Sequence, residues 1–181
     1  IHKRHLQALR FSHRRFHRVF THDSATLARL PNARFLPAAS TWVAQYRQLD
    51  RTKTANVALI ASARRDTEGH QLRHAVVEAL HAEGVSVDVM GRGYAPFEHK
   101  WEGHARYRFS VVIENIRVPG YFTEKLVDSL LCESVPIYWG APDVTAHIDP
   151  TGVIPCETVQ DIVEAVRGAD EARYADMRAG L

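Results

Sequence analysis

Cysteine is nearly absent from this 181-residue chain, which has Cys132 and Cys156 and no others. Two thiols cannot build a disulfide framework, and their spacing is not that of a metal-ligand set. Cys132 falls in an apolar helical run, where a buried free thiol is expected, and a reducing, cytoplasmic setting suits such a sequence. Long hydrophobic runs are missing as well. The longest, Val57 to Ala61, is strand-sized, far short of the ~18 residues that suggest a membrane span, and no secretory leader is visible. Charge of one sign is not in excess: a formal net charge of +2 argues against a nucleic-acid partner for the chain as a whole. Internal repeats and low-complexity tracts are absent too.

What is present is enough for one domain with a stub of another. The hydrophobic share is 45% and the charged share 24%, ordinary for a globular protein, and a chain this long buries a core without staples. Residues 1 to 50 differ from the rest. Lys3, Arg4, Arg10, Arg14, Arg15 and Arg18 crowd the start, and the first acid is Asp23. Leu6, Leu9, Phe16 and Phe20 suit the apolar side of one or two helices. Val19 to Thr21 reads as a short strand, Ser24 as the cap of a helix to Leu30, and Ala33 to Leu36 as a second strand closed by Pro37. These pieces do not complete a fold. They read as the remnant of a preceding domain running into a linker, and the basic start as a solvated face.

From Asn56 onward the pattern is regular. Asn56 to Ser62 reads as a buried strand. Glu68 to Ala82 reads as a helix with Leu72, Val76, Val77 and Leu80 on one face, ended by Gly84. Val85 to Met90 is expected as a strand, Phe97 to Tyr107 as a helix, Phe109 to Ile113 as a strand, Phe122 to Glu133 as a helix and Val135 to Trp139 as a strand. A last short strand at 152 to 155, a helix through Val159, Ile162, Val163 and Val166, and a helix from Glu171 to Arg178 complete the reading. Alternating strands and helices, with strands that are continuous apolar runs, predict an α/β fold: a Rossmann-like parallel sheet with helices on both faces, preceded by a short mixed stub. Such sheets bind ligands at the carboxyl ends of their strands.

The informative stretch runs from Phe109 to Pro142, FSVVIENIRVPGYFTEKLVDSLLCESVPIYWGAP. An apolar strand stops abruptly at Glu114-Asn115, so two polar residues sit where ligands bind. After a loop holding Pro119 and Gly120 comes Tyr121, and Thr123-Glu124-Lys125 opens a helix. Glu124 suits the positive end of the helix dipole. Lys125 would be repelled there unless an anion shared the space, and helix starts are ready-made phosphate sites. A solvated surface lysine is the alternative.

Glu-Asn, a Tyr six residues after the Asn, then Thr-Glu-Lys and Val-Pro-Ile-Tyr-Trp-Gly-Ala-Pro resemble the donor-binding motif of the family 10 glycosyltransferases, the α1,3/1,4-fucosyltransferases. The match is strongest over Phe109 to Pro142 and weaker from Asn56 onward. The resemblance implies the C-terminal half of a GT-B enzyme that transfers fucose from GDP-fucose, with inversion, to a sugar hydroxyl of a glycan acceptor. Residues 51 to 181 would be the donor domain, and residues 1 to 50 the end of the acceptor domain with its linker. By the same resemblance Glu124 would hold the ribose hydroxyls, Lys125 the diphosphate, and Asn115 and Tyr121 the phosphates or the sugar, with Thr123 also among the substrate-binding residues. Arg73 is the best match to the family's diphosphate-binding Arg, with Arg64 and Arg65 as rivals. Arg73 and Lys125 would stabilise charge on the leaving GDP. There is no Asp-x-Asp, the nearest being Asp66-Thr67-Glu68, so no metal or other cofactor is expected to be essential.

The chain departs from the family pattern at Ile113, Ile116, Glu133 and Ser134, which leaves another nucleotide sugar as an alternative donor. An inverting transfer needs a base, and Glu114 is the one suggestively placed carboxylate, with a structural role as its alternative. The missing base also leaves open a non-catalytic nucleotide-sugar-binding module, or a partner that supplies the acceptor domain. A eukaryotic origin would move the setting to the Golgi lumen. Weaker signals are read blandly: Gly91-Arg92-Gly93-Tyr94 as a turn that could line the donor cleft, His13/His17 and His70/His74 as chance pairs, and Trp139 as core. Whether the 115 to 121 loop is ordered before the donor binds is left open.

Overall fold

The computed structural model describes residues 3–181. Its elements in chain order are α1 (Lys3–Ser12), β1 (Val19–Thr21), α2 (Ser24–Arg29), β2 (Ala33–Phe35), β3 (Ala55–Ile60), α3 (Glu68–Ala82), β4 (Asp88–Met90), β5 (Tyr107–Ile113), α4 (Glu124–Leu131), β6 (Val135–Trp139), β7 (Ile154–Pro155), α5 (Val159–Arg167) and α6 (Glu171–Met177). β1 and β2 pair as a small parallel sheet of their own. The other five strands form one all-parallel sheet in the order β4-β3-β5-β6-β7.

Strand burial follows the two-residue period of a pleated sheet. Val57, Leu59, Phe109, Val111, Ile113, Val135, Ile137 and Trp139 pack on one face with Val76 and Leu80 of α3, Ile162, Val163 and Val166 of α5 and Tyr174 of α6. Val112 and Tyr138 pack on the other with Phe122, Leu126, Val144 and Val153. Each fully buried Leu or Ile here is worth about 1.5–3 kcal/mol relative to exposure. Helices therefore cover both faces, and the strand order reverses at β3/β5, where successive connections leave on opposite sides. At such a reversal the carboxyl ends part and open a crevice.

Caps set the helix limits. Thr67 accepts from His70 N–H at the start of α3, and Gly84, with φ +65°, lets the chain turn away after its end. Thr158 and Asp161 form a reciprocal capping box on α5.

Several boundaries differ from the sequence-based expectation. The stretch expected as a helix over Phe97 to Tyr107 holds only a 3-10 turn, Lys100–Gly103. Gly103 is pressed on β3, where a Cβ would lie 2.6 Å from Ile60 Cδ1, and β5 begins at Tyr107. The strand expected from Val85 starts at Asp88, and the helix expected from Phe122 to Glu133 is α4, shorter at both ends. Asp23, not Ser24, caps α2, accepting from Thr26 N–H at 2.7 Å. Phe16 and Phe20 do not lie on a helix: one follows a 3-10 turn, the other is in β1, and both are over half exposed.

Between the two sheets the chain docks onto α4 and its surroundings. Val43 is fully buried with Ala105 and Cys132, and Asp128 accepts from Thr41 Oγ1 at 2.7 Å and Trp42 N–H at 3.0 Å. Both cysteines are buried free thiols. Among the described residues no helix is long and apolar enough to cross a membrane.

Candidate functional site

The apolar run of β5 stops at Ile113, and the backbone of Glu114 makes one more ladder bond, donating to Trp139 O at 2.9 Å. The Glu114 side chain is completely buried. Oε1 accepts from Thr123 N–H and Oε2 from Thr123 Oγ1, each at 2.7 Å. Thr123 is the N-cap of α4, so the strand end is stitched directly to the helix start. Burial pushes the Glu114 carboxyl up against the opposing pull of Lys125 and the two Thr123 bonds.

Lys125 Nζ sits among oxygens: 3.0 Å from Glu124 Oε1, 3.1 Å from Thr123 Oγ1 and 3.7 Å from Glu114 Oε2. Burial raises the Glu124 carboxyl, but the Lys125 hydrogen bond and charge outweigh it and hold it below its ordinary value. The ammonium is thus positioned before any ligand arrives.

Arg73 reaches the same place from α3. It is 6% exposed, donates to Asn115 Oδ1 at 3.1 Å and also bonds Ile113 O. It gets there because α3 lies hard against the end of β5. Gly69 N–H donates to Asn115 O at 3.0 Å, and a Cβ on Gly69 would fall 1.7 Å from Glu114 O. Only glycine permits that approach.

These groups open onto a cavity of about 270 Å³ at the β3/β5 crevice, lined by Arg73, Asn115 and Lys125 with Arg64, Arg92, Lys100, His70, His104 and Asp128. Cations outnumber the single acid, and such a cleft concentrates a field that favours an anion. Burial disfavours charge on both histidines. Burial and Arg73 lower His70; burial, Lys100 and Lys53 push His104 down to about 3, and its Nδ1 is 2.8 Å from Ser110 Oγ.

Of the residues expected from sequence, Arg73, Asn115 and Lys125 share this cavity. Thr123 and Glu114 stand behind it as its support, and the Glu114 carboxylate has no surface open to a sugar hydroxyl. Glu124 and Tyr121 do not line it. Glu124 faces Lys125, and the Tyr121 ring lies tilted on His22 at 5.3 Å. Arg64 lines the rim with its guanidinium 2.8 Å from Asp66, and Arg65 does not line the cavity. His70 Nδ1 is 3.0 Å from Asp66, whereas His74 bonds Tyr94 Oη and Arg64 O, so the two do not converge. Trp139 is buried and donates to Glu157 O at 3.1 Å.

Gly91 and Arg92 do line the cavity, and Gly91 has φ +116° with the end of β3 against it. Sequence reasoning missed Lys100, His104 and Asp128, and read His70 only as half of a chance pair. Lys100 was hidden in a stretch read as helix. A lone acid in the apolar face of α4, Leu126-Val127-Asp128-Ser129, was the signal that could have exposed Asp128.

The family model described as glycosyltransferase family 10 (fucosyltransferase) C-term matches residues 50–170. A putative fucosyltransferase of Acanthamoeba polyphaga mimivirus is 38% identical over 74 residues, covering 38% of this chain and 12% of the relative. The α-(1,3)-fucosyltransferase of Helicobacter pylori is 32% identical over 69 residues, 38% of this chain and 14% of that one. The α-(1,4)-fucosyltransferase of Arabidopsis thaliana is 36% identical over 92 residues, 45% and 23%. The matches thus span less than a quarter of these relatives' length. A solved α1,3-fucosyltransferase with GDP-fucose superposes with a TM-score of 0.56 at 25% identity, over 73% of this chain and 40% of that one. With the match extending across most of the chain and the Glu114-to-Pro142 motif at its centre, this protein belongs to glycosyltransferase family 10, the fucosyltransferases, and carries the C-terminal domain of that family.

Proposed function

We propose that this chain supplies the donor site of an inverting fucosyltransferase, holding GDP-fucose for transfer to a sugar hydroxyl of a glycan acceptor. The observation that carries the reading is the convergence of Arg73, Asn115 and Lys125 on one cationic cavity at the point where the strand order reverses. The similar fold solved with GDP-fucose supports a GDP-sugar as the ligand. In this reading Lys125 and Arg73 face the diphosphate, Asn115 and Tyr121 bond the phosphates or fucose, and Glu124 accepts from the ribose hydroxyls. Residues 51–181 form the donor domain, and residues 1–50 end the acceptor side and link the two.

In the transfer, the acceptor oxygen forms a bond to fucose C1 as the bond from C1 to the β-phosphate oxygen breaks on the opposite face. The electron pair leaves with GDP, where Lys125 and Arg73 meet the growing charge; removing one such donor typically costs ~3 kcal/mol. A base takes the hydroxyl proton. Glu114 is a poor candidate for it, being buried and spent on Thr123, and acts instead as a positioning residue.

Calorimetric titration with GDP-fucose, GDP, GDP-mannose and UDP-galactose tests the reading. Micromolar to low-millimolar binding of GDP-fucose and GDP with UDP-galactose silent is expected. Silence from all four would overturn it.

A further inference from the structure

Asp128 has an unfinished side chain. It is 1% exposed, and its Oδ1 is occupied by Thr41 Oγ1 and Trp42 N–H. Its Oδ2 is buried without any hydrogen-bond partner, a standing cost unless a ligand completes it. Asp128 and Lys100 line the same cavity. The Lys100 ammonium lies 5.7 Å from the Phe97 ring centroid, and among the described residues no carboxylate pairs with it within 4.0 Å. Ile60, Phe97 and Val112 give the same cavity apolar wall. An unused acceptor and an unused donor beside apolar wall suit a flat heteroaromatic ring with a mixed polar edge. Asp128 also stands three residues after Lys125 on α4, on the same side of the helix, which puts this pair next to the cations that face a diphosphate.

We propose that Asp128 and Lys100 read the nucleotide base, and that the base they select is guanine, with Asp128 Oδ2 accepting from N1–H and the 2-amino group and Lys100 donating to O6. The inference rests on the donor-site reading above. Adenine would turn its acceptor N1 toward the carboxylate. Uracil has carbonyls on both sides of its N3–H, so one of them would face Oδ2. Oδ2 exposes almost no surface in this structure, so the base reaches it by displacing a neighbouring group.

The test is a calorimetric titration of the full-length protein with GDP and xanthosine diphosphate, in which a carbonyl replaces the 2-amino group. Wild type should favour GDP by at least about tenfold. In Asp128→Asn, Thr41 and Trp42 keep the amide oxygen, so the amide N–H faces the cavity and the preference should invert toward xanthosine diphosphate. A merely structural Asp128 would lower both affinities and leave their order unchanged, and that result would overturn the proposal. Should Asp128→Asn fail to fold, Lys100→Met supplies the second reading: its preference for GDP over 2,6-diaminopurine riboside diphosphate, which lacks O6, should fall several-fold without vanishing, since the acceptor N1 still faces Asp128, and an unchanged preference would count against it. If wild type binds no guanine nucleotide, the donor-site reading itself fails. If GDP binds and the substitutions leave base preference unmoved, only the base-reading pair fails.

Discussion

Glu114 and Thr123 are joined by two bonds, the threonine giving both its backbone N–H and its hydroxyl to the two oxygens of one carboxylate. The pair couples the end of the central strand to the first turn of α4, and through it to Lys125. Glu114→Ala leaves two buried donors without an acceptor and should destabilise the fold by ~3 kcal/mol, while GDP affinity falls with it. Glu114→Gln keeps the shape and one acceptor and should cost less. Urea denaturation alongside titration measures both; an Ala variant as stable as wild type would remove Glu114 from its supporting role.

Arg73 and Lys125 should each lose ~1–3 kcal/mol of GDP binding on replacement by Ala, the usual range for a charge-assisted bond. Arg65→Ala, away from the cavity, should change it by less than ~0.5 kcal/mol. Glu124→Ala should weaken GDP and GDP-fucose alike, because the ribose is common to both. Equal binding by wild type and all of these variants would refute the site.

Gly69→Ala tests the approach of α3 to β5. The added methyl would meet Glu114 O at 1.7 Å, and backbone cannot yield as a side-chain tip can. A loss of about 1–3 kcal/mol or more in thermal or chemical unfolding is expected, with Arg73 drawn away from Asn115. An unaltered melting temperature would contradict the packing described.

His104 makes stability depend on acidity. Its folded pKa of about 3 lies below the ordinary 6.5, so the unfolded state takes up the proton first. The contribution is complete above pH 6.5 and is lost as pH falls toward 3, at about 1.4 kcal/mol per unit. Replacing His104 by Gln should flatten that part of the stability-versus-pH curve, measured by denaturant midpoints at successive pH values. A curve of unchanged slope would mean that His104 is not protonation-silent in the fold.

If Arg73 and Lys125 meet the leaving diphosphate as proposed, fucose transfer should proceed at about the same rate with a chelator as with added magnesium. A loss of about tenfold or more on chelation would show that the side chains do not suffice.

The helical and strand pattern from Ala55 onward was legible because apolar spacing and caps agree there: α3 was placed to the residue, as was β6. The turn at Lys100 was not, since its glycine answers to a contact with Ile60 that no local pattern reveals. Arg73, Asn115 and Lys125 could be named from the motif, but their meeting depends on Gly69, which looks like any helix-start glycine in the sequence. The partners of Asp128 were out of reach for a related reason: Thr41 and Trp42 lie 87 and 86 residues away.

The loop before α4 is held from several directions. Gly120 N–H donates to Asp143 Oδ1 at 2.8 Å, Arg117 pairs with Glu157, the Tyr121 ring rests on His22, and Gly120 lies under Phe35. A segment so anchored has little conformational freedom left to surrender. Donor binding should therefore carry a small entropic penalty and a modest heat-capacity change, the signature of docking onto a ready surface and not of folding around a ligand.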